Sequence, residues 1–306
     1  MALVTAPGAM EPLRHVQTPV LSIGCFDAGS GPAVVLLHGF PYDIHAYADV
    51  APMLVAAGCR VIVPYLRGAG ATCFCDDTLA RTAEQSALAS DVADLLDALG
   101  LQRALLAGFD WGARAACAAA ALWPARCAGL VSAGGYAVHD LRRAAAPAAP
   151  EREAALWHQY YFMSERGRAG LTACRRELAH LLWRQWSPQW RFSQAEFDRT
   201  AAAFDNPDWV EVVLHSYRYK LGAVPGDPRY AHLARRLLSL PRIDVPAVTV
   251  EGAAHGVVRP TDGRRWSALF TRHVSHRVVA GAGHNIPQEQ PRAFADAILA
   301  LATATA

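Results

Sequence analysis

The chain has 306 residues, 53% of them hydrophobic, with a formal net charge of +2, so it can bury a large core and carries no charge run of the kind that binds nucleic acid or a membrane surface. Of its 29 basic residues only Lys220 is a lysine, and its seven cysteines form no CxxC pair, which argues against both a disulfide framework and a zinc site. No stretch approaches the roughly 18 apolar residues a membrane span needs, and Met1 to Pro19 lacks the layout of a secretory signal, so a reduced, cytoplasmic setting is expected.

In chain order, Val20 to Phe26 reads as an early strand that ends at the turn Gly29-Ser30-Gly31-Pro32. Ala33 to Leu37 and Arg60 to Pro64 are continuous apolar runs of the buried parallel type, separated by a helical pattern over residues 45–57. Residues 82–99 place Leu88, Val92, Leu95, Leu96 and Leu99 on one helical face. Ala104 to Ala107 is the next strand, a helix-prone run follows from Arg114, and Ala128 to Ala133 is another strand. Beyond Tyr136 the pattern changes. An Ala/Pro-rich linker over 144–150 leads into a helical stretch rich in Trp, Tyr and Arg, and strands resume only at Pro246 to Glu251 and Arg277 to Ala280, before a last helix at about 290–302. Alternating strands and helices argue for a mostly parallel α/β sheet flanked by helices. The expected organisation is therefore a core (1–136), an all-helical insertion (137–240) and the rest of the core (241–306).

The most informative stretch is Gly108-Phe109-Asp110-Trp111-Gly112, between a strand and a helix. A sharp strand-to-helix turn with glycine two residues either side of the centre is the setting of a nucleophile elbow, and here Asp110 holds the central place. Read blandly, Asp110 is an N-cap. Read as a nucleophile, a carboxylate suits attack on saturated carbon, because the product is an alkyl ester that activated water can hydrolyse.

Further features converge on that turn. His38-Gly39-Phe40-Pro41 follows a buried strand and can aim the Phe40 N–H at a substrate oxygen beside the N–H of Trp111, as an oxyanion hole, while His38 itself more simply orders its turn. Gly281-Ala282-Gly283-His284-Asn285 puts a histidine after the final strand, where the base sits in the order nucleophile, acid, histidine. Pro64 to Gly70 supplies a Gly-rich loop above another strand end.

Together these resemble the α/β-hydrolase superfamily with an aspartate nucleophile, from about Val20 to Leu301, and within it most resemble the epoxide hydrolases. The resemblance implies a helical cap inserted between strands 6 and 7. Trp157 to Phe162 resembles the first cap helix and His215 to Arg218 the later segment, so the two ring-opening donors fall on His158 and Tyr217, with Tyr160 or Tyr161 as alternatives to His158 if the register shifts. The chemistry needs such donors: an epoxide oxygen leaves as an alkoxide and wants a proton from a phenol or an imidazolium. A halide wants N–H donors instead. Phe40 lacks a side-chain donor, which disfavours the haloalkane dehalogenase relatives, and Trp111 stands where a haloacid enzyme would place its first arginine, although Arg114 lies one helical turn on.

The family pattern fails at one place. Where it resembles Gly-x-x-Asp, this chain has Gly252-Ala253-Ala254-His255, and the other usual location for the acid carries Gly134-Gly135. Glu251, Asp262 and Asp140 are the substitutes nearest in sequence. Without an acid, alkylation of Asp110 survives but ester hydrolysis slows, since the base loses what fixes its tautomer. The expectation is thus an epoxide hydrolase-like enzyme acting through Asp110, His284, Tyr217 and His158, with Phe40 and Trp111 as oxyanion donors and no metal or organic cofactor. Its partner would be a small-molecule electrophile, an epoxide or an organohalide, and a homodimer is left open. Dehalogenation and a weakly catalytic or ligand-binding role are the alternatives.

Overall fold

The computed structural model describes residues 10–302. Nine strands form one sheet: β1 Leu13–Gln17, β2 Leu21–Ala28, β3 Ala33–Leu37, β4 Arg60–Pro64, β5 Cys73–Phe74, β6 Ala104–Phe109, β7 Cys127–Ala133, β8 Ala247–Gly252 and β9 His273–Val279. Their order is β1-β2-β4-β3-β6-β7-β8-β9, with β5 attached to β2. Pairing is antiparallel from β1 through β2 to β4 and parallel from β4 onward. The parallel strands β6 and β8 are buried at every residue, as expected where helices cover both faces.

In the core, α1 (Val50–Ala56) is followed by α2 (Gln85–Ala98) and α3 (Trp111–Leu122). α3 is almost wholly buried because alanine dominates it, which lets it lie close on β3, β6 and β7 and against α2. Between β7 and β8 the chain is helical: α4 Pro150–Ala155, α5 Trp157–Tyr161, α6 Glu165–Ala173, α7 Arg175–Trp186, α8 Gln194–Ala201, α9 Trp209–Lys220 and α10 Ala231–Leu237. Pro150 at the first turn starts α4 and a Ser193–Glu196 capping box starts α8. The short α11 (Arg264–Ser267) and α12 (Ile286–Glu289) precede α13 (Pro291–Ala302), which packs on α1, β7 and β8.

Three elements differ from the sequence expectation. β1 was not foreseen, because Leu13-Arg14-His15-Val16-Gln17 buries only Val16 and has no apolar run to read. β9 begins at His273 rather than Arg277; it is the last strand of the sheet, with Val274 and Val278 exposed, so its polar half carries no burial signal. The two-residue β5 was not foreseen either; without it the helical stretch lies between the sixth and seventh strands, as expected. No helix among the described residues is long and apolar enough to cross a membrane.

Candidate active site

The turn from β6 into α3 puts Asp110 at φ 51°, ψ −119°, outside the regions that L-residues favour. The flanking glycines are required by close approach. A Cβ on Gly112 would stand 1.8 Å from the Leu37 carbonyl oxygen, and one on Gly108 would stand 2.4 Å from the Gly112 carbonyl carbon. Gly39 is needed for the same reason, because a Cβ there would meet the Asp110 Cβ at 2.5 Å. Asp110 makes no side-chain cap bond to α3, so the N-cap alternative finds no support in its contacts.

The two carboxylate oxygens face different partners. The Phe40 N–H donates to Oδ1 at 2.9 Å, and Oδ2 lies 3.6 Å from His284 Nε2. His38 ties the Phe40 loop to its neighbour: its Nδ1 lies 2.9 Å from the Gly39 carbonyl, and its Nε2 accepts from the Leu66 N–H at 3.0 Å. His284 is held by groups the sequence did not single out. The Ser187 hydroxyl oxygen accepts the His284 backbone N–H at 2.9 Å, and Ser187 donates to Glu289 at 2.6 Å. Glu289 also accepts the Gly283 and Asn285 N–H groups at 2.6 and 2.9 Å. A carboxylate a few residues past a Gly-rich loop was the signal for Glu289; Ser187 arrives from α7's end and had none.

The imidazole of His284 meets a second imidazole. His284 Nδ1 is 2.9 Å from His255 Nε2. His255 Nδ1 accepts two backbone N–H groups, from Val257 at 3.1 Å and Val258 at 3.3 Å. A nitrogen that accepts carries no proton, so neutral His255 bears its proton on Nε2 and donates it to His284 Nδ1. Neutral His284 is then protonated on Nε2, the atom facing Asp110. Burial pushes both imidazoles down, His255 to about 3, while the Asp110 charge partly offsets the shift at His284.

None of the three substitute carboxylates reaches His284. Glu251 accepts the Thr261 N–H at 2.6 Å and its hydroxyl at 3.0 Å. Asp262 accepts the Arg264 N–H at 3.0 Å, and Asp140 pairs with Arg142 at 2.8 Å. The position after Gly252 is thus filled by the histidine itself.

From the helical stretch, Tyr217 on α9 and His158 on α5 stand together over Asp110, their ring centroids 5.4 Å apart at 88°. Both are buried and both line the same cavity as Asp110, His255 and His284, of about 550 Å³. Burial and the Asp110 charge push the Tyr217 phenol well up, which keeps it protonated. Burial and the charge of Lys220 push His158 down to about 3, so it is a neutral ring rather than the imidazolium the sequence reading allowed. Tyr160 is 49% exposed and donates to Glu153, which removes it as an alternative to His158. Tyr161 lies on the same short helix, its hydroxyl packed toward Gly170. Among the described residues no cluster of three or more side chains fit to hold a metal occurs.

The model of a family described as the alpha/beta hydrolase fold matches residues 32–291. The chain belongs to the α/β-hydrolase fold family. Among solved structures, this hydrolase-fold chain superposes on a candidate epoxide hydrolase of Klebsiella pneumoniae subsp. pneumoniae with a TM-score of 0.94, 44% identity, and 97% and 99% of the two chains covered. Epoxide hydrolase 2 of Siraitia grosvenorii is 36% identical over 44% of this chain and 42% of its own length. A fluoroacetate dehalogenase from Burkholderia sp. is 39% identical over 33% of each. The chain therefore spans less than half the length of these two curated relatives.

Proposed function

We propose that this α/β-hydrolase opens epoxides by forming an alkyl ester on Asp110. The observation that supports it best is the division of labour at that carboxylate. Oδ1 sits against the Phe40 N–H, where the carbonyl oxygen of an ester would be polarised, and Oδ2 faces His284 Nε2 at 3.6 Å beside the cavity that Asp110 lines together with Tyr217 and His158. In this reading residues 137–240 serve as the cap.

Oδ2 attacks an epoxide carbon, the C–O bond breaks, and the oxygen takes its proton from the Tyr217 hydroxyl, with the neutral His158 N–H as a second donor; solvent reprotonates the phenolate. Water then attacks the Asp110 carbonyl carbon, giving up a proton, and the diol leaves. The tetrahedral oxyanion would rest on the Phe40 and Trp111 N–H groups. His284 is the base for this second step, and it can act only with a free lone pair on Nε2. The His255 donor works against that tautomer. The proposed enzyme therefore alkylates readily and hydrolyses its ester slowly.

The test is single-turnover intact-mass spectrometry with styrene oxide. The expected result is an adduct of the epoxide's full mass on Asp110 that is absent in Asp110→Asn, followed by entry of ¹⁸O from solvent into the Asp110 side chain. No adduct and no label would refute the reading. A second reading, halide displacement, is favoured by one atom: Trp111 Nε1 is buried against the Tyr217 hydroxyl without a hydrogen bond of good geometry, so it can turn to a halide. Halide release from chloroacetate or a chloroalkane tests it.

A further inference from the structure

The cavity above Asp110 has an uneven distribution of charge. Its carboxylates are Asp110, Asp140 and Glu251. Two of these are committed elsewhere, Asp140 to Arg142 and Glu251 to Thr261. Its cations are Arg114, Arg143, Arg152 and Lys220, and none of the four makes an ion pair among the described residues. Arg143 and Arg152 are exposed, on the approach to the cavity. Arg114 is only 8% exposed, on α3 one turn past the nucleophile, and Lys220 is the last residue of α9, half-buried.

We infer that the Arg114–Lys220 wall is a binding site for the carboxylate of the substrate, so that the preferred electrophile is an epoxide bearing a carboxylate a few bonds from its ring. This rests on the proposed Asp110 chemistry. Two like charges in one desolvated wall repel each other, and the Asp110 charge offsets that cost only in part, so an anion entering the cavity is drawn there. The fork of Arg114 matches a carboxylate's two oxygens, and the single lysine of the chain adds a point charge beside it. Neighbouring groups respond to the same field. His139, which lines this wall, is held neutral by burial and by the Arg114 and Lys220 charges. The site also answers a difficulty of the reaction, because an anionic electrophile is repelled by the Asp110 carboxylate and reaches it only if cations hold its charge aside. The two exposed arginines would steer anions inward.

The experiment has a binding arm and a reaction arm. In Asp110→Asn, which cannot react, calorimetry compares phenylglycidate with its methyl ester. The carboxylate should bind about ten- to a hundred-fold more tightly, the range expected for hydrogen bonds to a charged group. That ratio should collapse in Lys220→Met and in Arg114→Met and persist in Lys220→Arg. In the otherwise unchanged enzyme, the rate of adduct formation should favour phenylglycidate over styrene oxide, and Lys220→Met should abolish the preference. Equal binding of acid and ester, or a ratio unmoved by both substitutions to Met, overturns the inference. Styrene oxide alkylating Asp110 with no preference for the acid would sink the inference and leave the Asp110 chemistry standing. Tight, Lys220-dependent binding of the acid without any adduct would do the reverse.

Discussion

Replacing His255 by a carboxylate should convert a slow ester hydrolysis into a fast one. In the present structure the lone pair needed on His284 Nε2 requires the His284 proton to move to Nδ1, facing His255 Nε2. His255 must then surrender its own Nε2 proton and take one on Nδ1, where the Val257 and Val258 N–H groups already point at 3.1 and 3.3 Å. Each backbone donor so displaced loses its acceptor, a cost of about 1–3 kcal/mol. The active tautomer is therefore about 2–6 kcal/mol above the resting one, a rate penalty of about 30- to 10⁴-fold on hydrolysis. The upper end equals the loss of about 10⁴-fold seen when a serine-protease triad is left with the wrong histidine tautomer.

His255→Asp restores the family pattern at Gly252-x-x-255, and His255→Glu keeps the reach of the imidazole Nε2. Either carboxylate accepts a hydrogen bond from the His284 Nδ1–H, which keeps the proton on Nδ1, and can also accept the Val257 and Val258 N–H groups. The assay is rapid-quench mass spectrometry with styrene oxide, following the rise and decay of the Asp110 ester. Unsubstituted enzyme should accumulate ester to near one per chain and lose it slowly. The better of the two variants should form it at a similar rate and lose it at least 30-fold faster. Unsubstituted enzyme that turns over many times with no visible ester, or variants that leave the decay rate unchanged, would refute the tautomer argument.

Tyr217→Phe should slow ester formation by about 10²–10⁴-fold without changing ester decay, measured by the same quench; His158→Gln should have the smaller effect, because a neutral imidazole donates more weakly than a phenol held beside it. Gly112→Ala should destabilise the fold by about 4 kcal/mol or more, read by urea denaturation, since its Cβ would stand 1.8 Å from a backbone oxygen that cannot swing away. Burial and the neighbouring Arg114 hold the Lys220 ammonium down to about 8, with Asp110 opposing and Arg152 adding slightly. Lys220 is thus charged below that pH and neutral above it. The preference for phenylglycidate over styrene oxide should fall as pH rises from 7 to 9.5 and should stay level in Lys220→Arg.

The elbow was legible because its demands are local. Gly108, Asp110 and Gly112 sit within five positions, and steric closeness to Leu37 and to each other excludes a side chain at either glycine. The Phe40 turn and the His284 loop were legible as Gly-bearing connections after buried strands. What escaped the sequence was fixed by contacts distant in the chain. Ser187 meets His284 from 97 positions away, and Glu289 gains its place only once the loop after β9 closes around it. Arg114 was visible as a residue one turn past Asp110, but Lys220 was not, because only the packing of α9 over α3's start brings the two charges to one wall. The edge strand β1 and the first half of β9 escaped because their polar residues carry little burial signal.

The missing acid raises the question whether another carboxylate could serve His284 by a rearrangement, and Glu289 is the strongest case. It is half-buried, it lies on the next helix after His284, and its partial burial pushes its carboxyl up. Yet its oxygens already accept the Gly283 and Asn285 N–H groups and the Ser187 hydroxyl, and Ser187 in turn accepts the His284 N–H. Turning Glu289 toward Nδ1 would strip three charge-assisted bonds, each worth about 1.5–3 kcal/mol, from the very loop that positions the imidazole. It would also have to displace His255, which occupies Nδ1 at 2.9 Å. That loss, about 4.5–9 kcal/mol before His255 is displaced, lies mostly above the 2–6 kcal/mol of the direct proton shift within the His255–His284 pair, so in the proposed mechanism hydrolysis would follow that shift and position 255 would govern its rate.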